Sequence, residues 1–317
     1  VLIGCAIVAI VAAVATGALF LRDMQRAYDR VQNRGSVLTL PWGDVEYTDT
    51  GDGPVVLVIH GSGGGYDQGE LIGEAAVGNG FRVIAPSRFG YLRSSLPDGA
   101  TWDDQANAYA SLLDHLELDR VAVVAMSHGG PSALLFAVLH PGRVSSLTLI
   151  SCGVVSVSTQ GQSQADQKGS ALTTIYSHDL LYWAATKMLR RQFMQLLGAT
   201  ADVIDDLGAD QRQLLDRFID YMNPVSPRSA GVRFDNRTGL PGGRIADIMA
   251  PTLIFHARDD TLQLFHNAEF AAATIPGARL LRFERGGHFL IGVEQARIRA
   301  ALQAHVREHA DRPEDTH

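Results

Sequence analysis

Four short stretches of this chain carry side chains able to do chemistry together: HGSGGG at 60–65, AMSHGG at 125–130, HARDD at 256–260 and GGHF at 286–289. The second holds one serine, Ser127, at the end of the apolar run VAVVAM, with Gly129 and Gly130 close behind. A serine hydroxyl is a weak nucleophile near neutral pH, so it needs exposure to substrate and a hydrogen-bonded base. A sharp strand-to-helix turn meets the first need by lifting the side chain to the carboxyl edge of a sheet; its pattern is G-x-S-x-G. Here the five residues are Ala125, Met126, Ser127, His128 and Gly129, so alanine replaces the first glycine while staying small. Alone, they equally describe a strand ending in a helix-capping serine.

The other stretches supply context. In VVLVIHGSGGGYDQG a strand runs into His60-Gly61 and a glycine-rich loop, whose backbone N–H groups can face an oxyanion developing on a substrate. A phosphate-binding loop is the competing use, but the Lys-Ser/Thr ending of a P-loop is missing and Tyr66 occupies the last glycine position of G-x-G-x-x-G. In APTLIFHARDD an aspartate just past a buried strand lies at the same sheet edge as the serine and can orient a histidine; Asp259 and Asp260 both qualify. His288 follows a further strand and a glycine pair, on a loop able to reach the serine.

These residues need a sheet to bring them together, and the hydrophobic pattern predicts one. VVLVIH (55–60), FRVIA (81–85), VAVVAM (121–126), SSLTLIS (145–151), TLIFHA (252–257) and ARLLRFE (278–284) are near-continuous apolar runs of strand length, as expected for strands buried on both faces. Between several of them lie amphipathic helical segments; in TWDDQANAYASLLDHLEL, Ala106, Tyr109, Leu112, Leu113 and Leu116 recur at helical spacing. The reading is an α/β fold, a mostly parallel sheet with helices on both faces. SVLTL and VEYTDT, around the turn-like PWGD, predict a short antiparallel hairpin before it. Between Gly153 and about Arg244 strong strands are missing and helical segments take over, which predicts a helical insertion.

At those strand ends and in that order, HGSGGG, AMSHGG, PTLIFHARDD and GGHF make the chain resemble the α/β-hydrolase family over roughly residues 36–308. The resemblance implies Ser127 as nucleophile, His288 as general base and Asp260 as the acid, which the family usually places four residues after the position of His256. It also implies an oxyanion hole from the backbone N–H groups of Ser62 and His128, and a lid formed by the insertion. One departure is PSRFGYLRSS: where the family often has Asp in D-x-x-G-x-G-x-S, this chain has Ser87, and Tyr91-Leu92 replace the second small position. That alters the packing of the loop without touching the triad.

The implied reaction is hydrolysis of a carboxylic ester through an acyl-enzyme, on a small-molecule ester or acyl substrate, with no metal or organic cofactor. Lactonases, carbon–carbon bond hydrolases, thioesterases and cofactor-free perhydrolases share the triad, and a membrane-anchored ligand-binding protein on the same scaffold is the alternative of another class. Gly61, Gly63, Tyr176, Trp183 and Phe289 are candidates for the substrate pocket. The lid residues Tyr182, Phe193 and Met222 are further candidates, with core packing as the competing role for each.

Composition narrows the partners. At 317 residues and 46% apolar content the chain suits one large domain, and 34 acidic against 27 basic residues, net charge −7, leave no basic patch for nucleic acid. Cys5 and Cys152 provide neither a disulfide framework nor a Cys-rich zinc site. Residues 1–21 are uncharged and long enough to cross a bilayer, so they are read as a single-pass anchor, with a cleaved signal peptide, hence secretion, and a buried core helix as competitors. A juxtamembrane linker is expected at 22–35, where four arginines against two aspartates favour the cytoplasmic side for this flank, while the side of the membrane that carries the domain is left open. The expected organisation continues with a first α/β-hydrolase core segment at 36–152, the lid at 153–243, a second core segment at 244–308 and a flexible tail at 309–317.

Overall fold

The computed structural model describes residues 2–32 and 34–310. Eight strands form one sheet in the order β1-β2-β4-β3-β5-β6-β7-β8. They are β1 (Ser36–Leu40), β2 (Gly43–Thr50), β3 (Val55–Ile59), β4 (Arg82–Pro86), β5 (Val121–Met126), β6 (Val144–Ile150), β7 (Thr252–Ala257) and β8 (Arg279–Phe283). β1 and β2 form the expected hairpin and β2 runs antiparallel to β4, while β3 to β8 are parallel. Every apolar run singled out in the sequence is a strand of the parallel portion.

Along each central strand consecutive residues face opposite layers, as the pleat dictates. Leu57, Ile59, Val123 and Ala125 join one core, with Trp102, Tyr109 and Leu112 of α3 (Trp102–His115) and Leu134 of α4 (Gly130–Leu139). Val56, Val58, Ala122 and Val124 join the other, with Leu71 of α2 (Tyr66–Ile72) and with Ile298, Leu302 and Val306 of α13 (Gln295–Ala310). Thr101 starts α3 in a capping box with Asp104, each side chain satisfying a backbone N–H of the other. Two further helices cover the sheet: α11 (His266–Thr274) adds Ala268 and Ala271 to the first core, and the single turn α12 (Leu290–Val293) adds Leu290 and Ile291 to the second.

Between β6 and β7 the chain forms six helices: α5 (Gln160–Ile175), α6 (Asp179–Met188), α7 (Arg190–Leu196), α8 (Ala201–Asp206), α9 (Ala209–Tyr221) and α10 (Ser229–Arg237). They enclose a third apolar cluster that includes Tyr182, Phe193, Leu215 and Ile219. Tyr91, from the loop after β4, and Phe289 belong to the same cluster, so these helices sit over the carboxyl edge of the sheet.

The N-terminal segment departs from expectation. α1 (Leu2–Val31) is one continuous helix, so residues 22–31 are not a linker. The sequence there contains no Pro or Gly, and Met24, Ala27 and Val31 recur at helical spacing and are buried on the body. Phe20 meets Trp183 edge-on at 5.5 Å, Trp183 Nε1 donates to Asp23, and Tyr28 donates to Asp179 at 2.8 Å. Before Phe20 the helix projects away, with Ile3, Ile7, Val8, Ile10, Val11 and Val14 exposed. At the other end α13 runs to Ala310, so the tail expected from 309 starts inside a helix; residues 311–317 lie outside the described residues.

Candidate active site

β5 delivers the backbone to the carboxyl edge of the sheet, where Ser127 adopts φ +53, a left-handed conformation costly for a residue with a Cβ. The turn survives because its neighbours are small. A Cβ on Gly129 would lie 2.6 Å from the Ile59 carbonyl oxygen, and one on Gly130 would lie 2.6 Å from Cys152 Cβ. At Ala125 the strand is still extended and packs in the core, so the missing first glycine of the motif costs nothing.

His288 arrives from the loop after β8. Its Nε2 lies 2.9 Å from Ser127 Oγ and its Nδ1 lies 2.9 Å from Asp260 Oδ2. An ionised carboxylate only accepts, so the proton sits on Nδ1 and Nε2 is left as the acceptor for the serine hydroxyl. Asp260 Oδ1 accepts two backbone N–H groups, from Leu262 and Gln263, each at 2.9 Å, which fixes the carboxylate behind the ring. Asp259, the other candidate, faces elsewhere: its carboxylate accepts from the N–H groups of Gly286 and Gly287 and so shapes the histidine loop. All three members of the Ser127–His288–Asp260 chain are buried.

Gly61, Ser62 and His128 border the same cavity as Ser127 and His288. A Cβ on Gly61 would stand 3.1 Å from Ser127 Cβ, so the glycine lets this loop approach the serine. The His60 ring lies behind the loop, fully buried, with Nδ1 2.7 Å from the Gly61 carbonyl oxygen. Burial and the neighbouring Arg88 hold its pKa well below the usual histidine value, so the ring is neutral.

The cavity over Ser127, about 60 Å³, is lined mainly by Met126, Leu172, Tyr176, Leu197, Phe218 and Phe289, and no Asp, Glu, Lys or Arg is among its lining residues. Of the pocket candidates, Gly61, Tyr176 and Phe289 line it, as does Met222. Gly63 stands just behind, at φ +75, where a Cβ would press on the Tyr176 ring at 3.2 Å. Trp183 does not line the cavity: its indole is held by Phe20 and Asp23 of α1, and helical spacing alone gave no sign of a partner so far away in sequence. Tyr182 and Phe193 pack on each other inside the lid, ring centroids 5.3 Å apart, and are likewise absent from the lining.

Two buried ion pairs escaped the sequence reading. Arg88, in the loop after β4, makes a two-pronged contact with Asp235 of α10, both bonds 2.7 Å, and Tyr91 donates to the same carboxylate. Asp67 of α2 accepts two bonds from Arg228, each 2.9 Å, and also pairs with Arg30 of α1. All four of Arg88, Asp235, Arg228 and Asp67 have buried side chains. Arg88 and Asp235, and likewise Asp67 and Arg228, lie more than a hundred residues apart, beyond any local signal in the sequence. The departure at Ser87 is compensated locally, with Ser87 Oγ accepting from Tyr66 N–H while buried Glu46 accepts from Arg93. Among the described residues, no group of three or more His, Cys, Asp or Glu is arranged to hold a metal ion.

Known proteins resemble this chain in sequence and in fold. An uncharacterised hydrolase of Bacillus subtilis, YcgS, is 40% identical over 119 residues, a match spanning 38% of this chain and 42% of that protein. A 2-hydroxy-6-oxononadienedioate/2-hydroxy-6-oxononatrienedioate hydrolase of Paraburkholderia xenovorans is 29% identical over 259 residues, 78% of this chain and 86% of the relative. Among solved structures, a bacterial membrane phospholipase A has the same fold, with a TM-score of 0.68 and 18% identity over 96% of this chain and 98% of its own. The alpha/beta hydrolase fold family matches residues 54–295, from the start of β3 through the lid and past the histidine loop. That match takes in all six parallel strands and every strand end that bears a candidate residue, and this chain belongs to the alpha/beta hydrolase fold family.

Proposed function

We propose that this hydrolase cleaves carboxylic esters, with Ser127 as nucleophile, and that α1 holds it at a membrane. The observation that carries the chemistry is the continuous hydrogen-bonded chain from Ser127 Oγ through His288 to Asp260. Ser127 attacks the ester carbonyl while His288 Nε2 takes its proton, and Asp260 stabilises the imidazolium. The N–H groups of Ser62 and His128 receive the oxyanion, each donor contributing on the order of 3 kcal/mol. His288 returns the proton to the leaving alkoxide, and water then releases the acid from the acyl-enzyme.

The apolar cavity beside Ser127 suits the acyl chain. A carbon–carbon bond hydrolase is the second reading, because the Paraburkholderia relative is named for one. That protein's named substrates are dioates, carrying two carboxylates, whereas the apolar cavity has no Lys or Arg in its lining and the space adjoining it across His128 offers one arginine, Arg237, together with the acidic Asp166. An unpaired carboxylate in such a site is costly, which favours the ester.

The anchor reading rests on the exposed apolar length of α1 together with the packing of its last turns on the lid, a union that a removable leader has no need of. Ser127→Ala should abolish turnover of p-nitrophenyl esters and labelling by a fluorophosphonate while leaving the circular dichroism spectrum unchanged. Ester turnover near the wild-type rate in that variant would refute the reading.

A further inference from the structure

The apolar cavity is only one side of the space around Ser127. A second chamber, about 270 Å³, meets it across His128 and Leu262, which line both. Its walls are of the opposite character, with Gln162 and Asp166 from α5, Arg237 at the end of α10, and Gln263 from the loop that carries Asp260. Gln162 donates to Asp166 Oδ1 at 2.8 Å, which leaves Asp166 Oδ2 and the Gln162 carbonyl oxygen as acceptors. Arg237 has no ion-pair partner among the described residues, so its donors are available. The Gln263 side chain lies 3.5 Å from His128 Nδ1, at the seam between the two spaces.

An ester has two halves, and its carbonyl carbon must sit at Ser127. With the acyl chain in the apolar cavity, the alcohol half has the polar chamber next to it. We propose that this chamber is a leaving-group site for a neutral, polyhydroxylated alcohol of the glycerol type, so that the natural substrates are acyl esters of such polyols. The inference rests on the ester reading above and adds the identity of the alcohol.

Charge selects the neutral class. Asp235 also borders the chamber but is already paired with Arg88, which leaves one free guanidinium, Arg237, and one free carboxylate, Asp166. A phosphate head would gain Arg237 but meet Asp166, and an ammonium head would meet the reverse. Vicinal hydroxyls both donate and accept, so they satisfy the amide, carboxylate and guanidinium groups together. In the reaction, the proton that His288 took from Ser127 passes to the alcohol oxygen as the acyl C–O bond breaks, and the free polyol leaves through the polar chamber.

The test compares esters with one acyl chain and different alcohols: methyl octanoate, 1-octanoylglycerol and 1-octanoylglycerol 3-phosphate, with p-nitrophenyl octanoate as a control for the triad. Two or three hydrogen bonds of ordinary strength correspond to a preference of about tenfold or more in kcat/KM for the glyceryl over the methyl ester. In Gln162→Leu and Arg237→Leu that ratio should fall toward one, mainly through KM for the glyceryl ester. Equal kcat/KM for methyl and glyceryl esters, with p-nitrophenyl octanoate turned over, would overturn the chamber proposal and leave the ester reading standing. Preference for the phosphorylated glycerol would overturn the neutral class. Failure to hydrolyse any of the four would remove the ester reading and the chamber with it.

Discussion

Arg88 donates its backbone N–H to Nε2 of His60 at 3.0 Å, so the proton of that neutral ring lies on Nδ1, where it is given to the Gly61 carbonyl at 2.7 Å. In a trans peptide the carbonyl and the following N–H point in opposite directions. Holding the Gly61 oxygen toward His60 therefore turns the Ser62 N–H away from it, as an oxyanion donor requires. His60→Ala is expected to lower kcat by tenfold or more, up to the roughly 10²–10³ lost with an oxyanion donor, with a smaller change in KM. Steady-state kinetics on p-nitrophenyl esters checks this; a change confined to KM would contradict it.

The two neighbouring aspartates should separate cleanly. Asp260→Asn lets the amide hold the wrong histidine tautomer, and a loss of about 10⁴ in kcat is expected. Asp259→Asn keeps a carbonyl oxygen able to accept from Gly286 and Gly287, so activity within about tenfold of wild type is expected, about 1.4 kcal/mol in the barrier. Comparable losses in the two variants would contradict the assignment.

Acid should destabilise the fold through buried histidines. Burial lowers the pKa of His60, and the same cause lowers that of His256, whose Nε2 faces the Gln263 carbonyl oxygen at 2.6 Å. Below the unfolded value near 6.5 the unfolded chain binds protons that the folded one refuses. Stability is thus full above about pH 6.5 and falls as pH drops from there toward the folded pKa values, by about 1.4 kcal/mol per pH unit for each such histidine. Urea midpoints measured between pH 7.5 and 5.5 should fall with pH, and less steeply in His256→Gln.

The Arg88–Asp235 pair gives a stability test with two arms. Asp235→Ala leaves a buried guanidinium unpaired and should cost about 3–5 kcal/mol, whereas replacing both partners with apolar residues of similar size should recover much of that. Urea denaturation of Asp235→Ala and of Arg88→Met/Asp235→Leu distinguishes the two.

Trp183, on α6, and Tyr176, just past the end of α5, should behave differently despite being seven residues apart. Trp183→Ala removes the contact with Phe20 and Asp23, which should loosen α1 and raise its protease sensitivity while leaving kcat/KM for a p-nitrophenyl ester within about twofold, about 0.4 kcal/mol. Tyr176→Ala enlarges the apolar cavity and should shift the preferred acyl chain toward longer esters.

The parallel sheet and the strand-end residues were legible in the sequence because their signals are local. A strand buried on both faces must be apolar throughout, and a strained turn at its end must be lined with small residues, so VAVVAMSHGG shows both at once. The local pattern also placed an aspartate at the end of TLIFHA but left Asp259 and Asp260 both open, and the preference for Asp260 came from the family resemblance. The continuation of α1 beyond residue 21 was also present, as the helical spacing of Met24, Ala27 and Val31, but the arginines around it drew the reading toward a linker. What had no local signal was decided by tertiary structure alone. Arg88 with Asp235 and Asp67 with Arg228 look like ordinary surface charges in sequence, and only folding places each beside its distant partner and away from water. Trp183 is a pocket residue by spacing and an α1 contact in space. The sequence by itself determined which residues stand at the carboxyl edge of the sheet, because backbone periodicity is written residue by residue; the packing of the lid decided which side chains line the apolar cavity and the polar chamber, because that depends on long-range contacts.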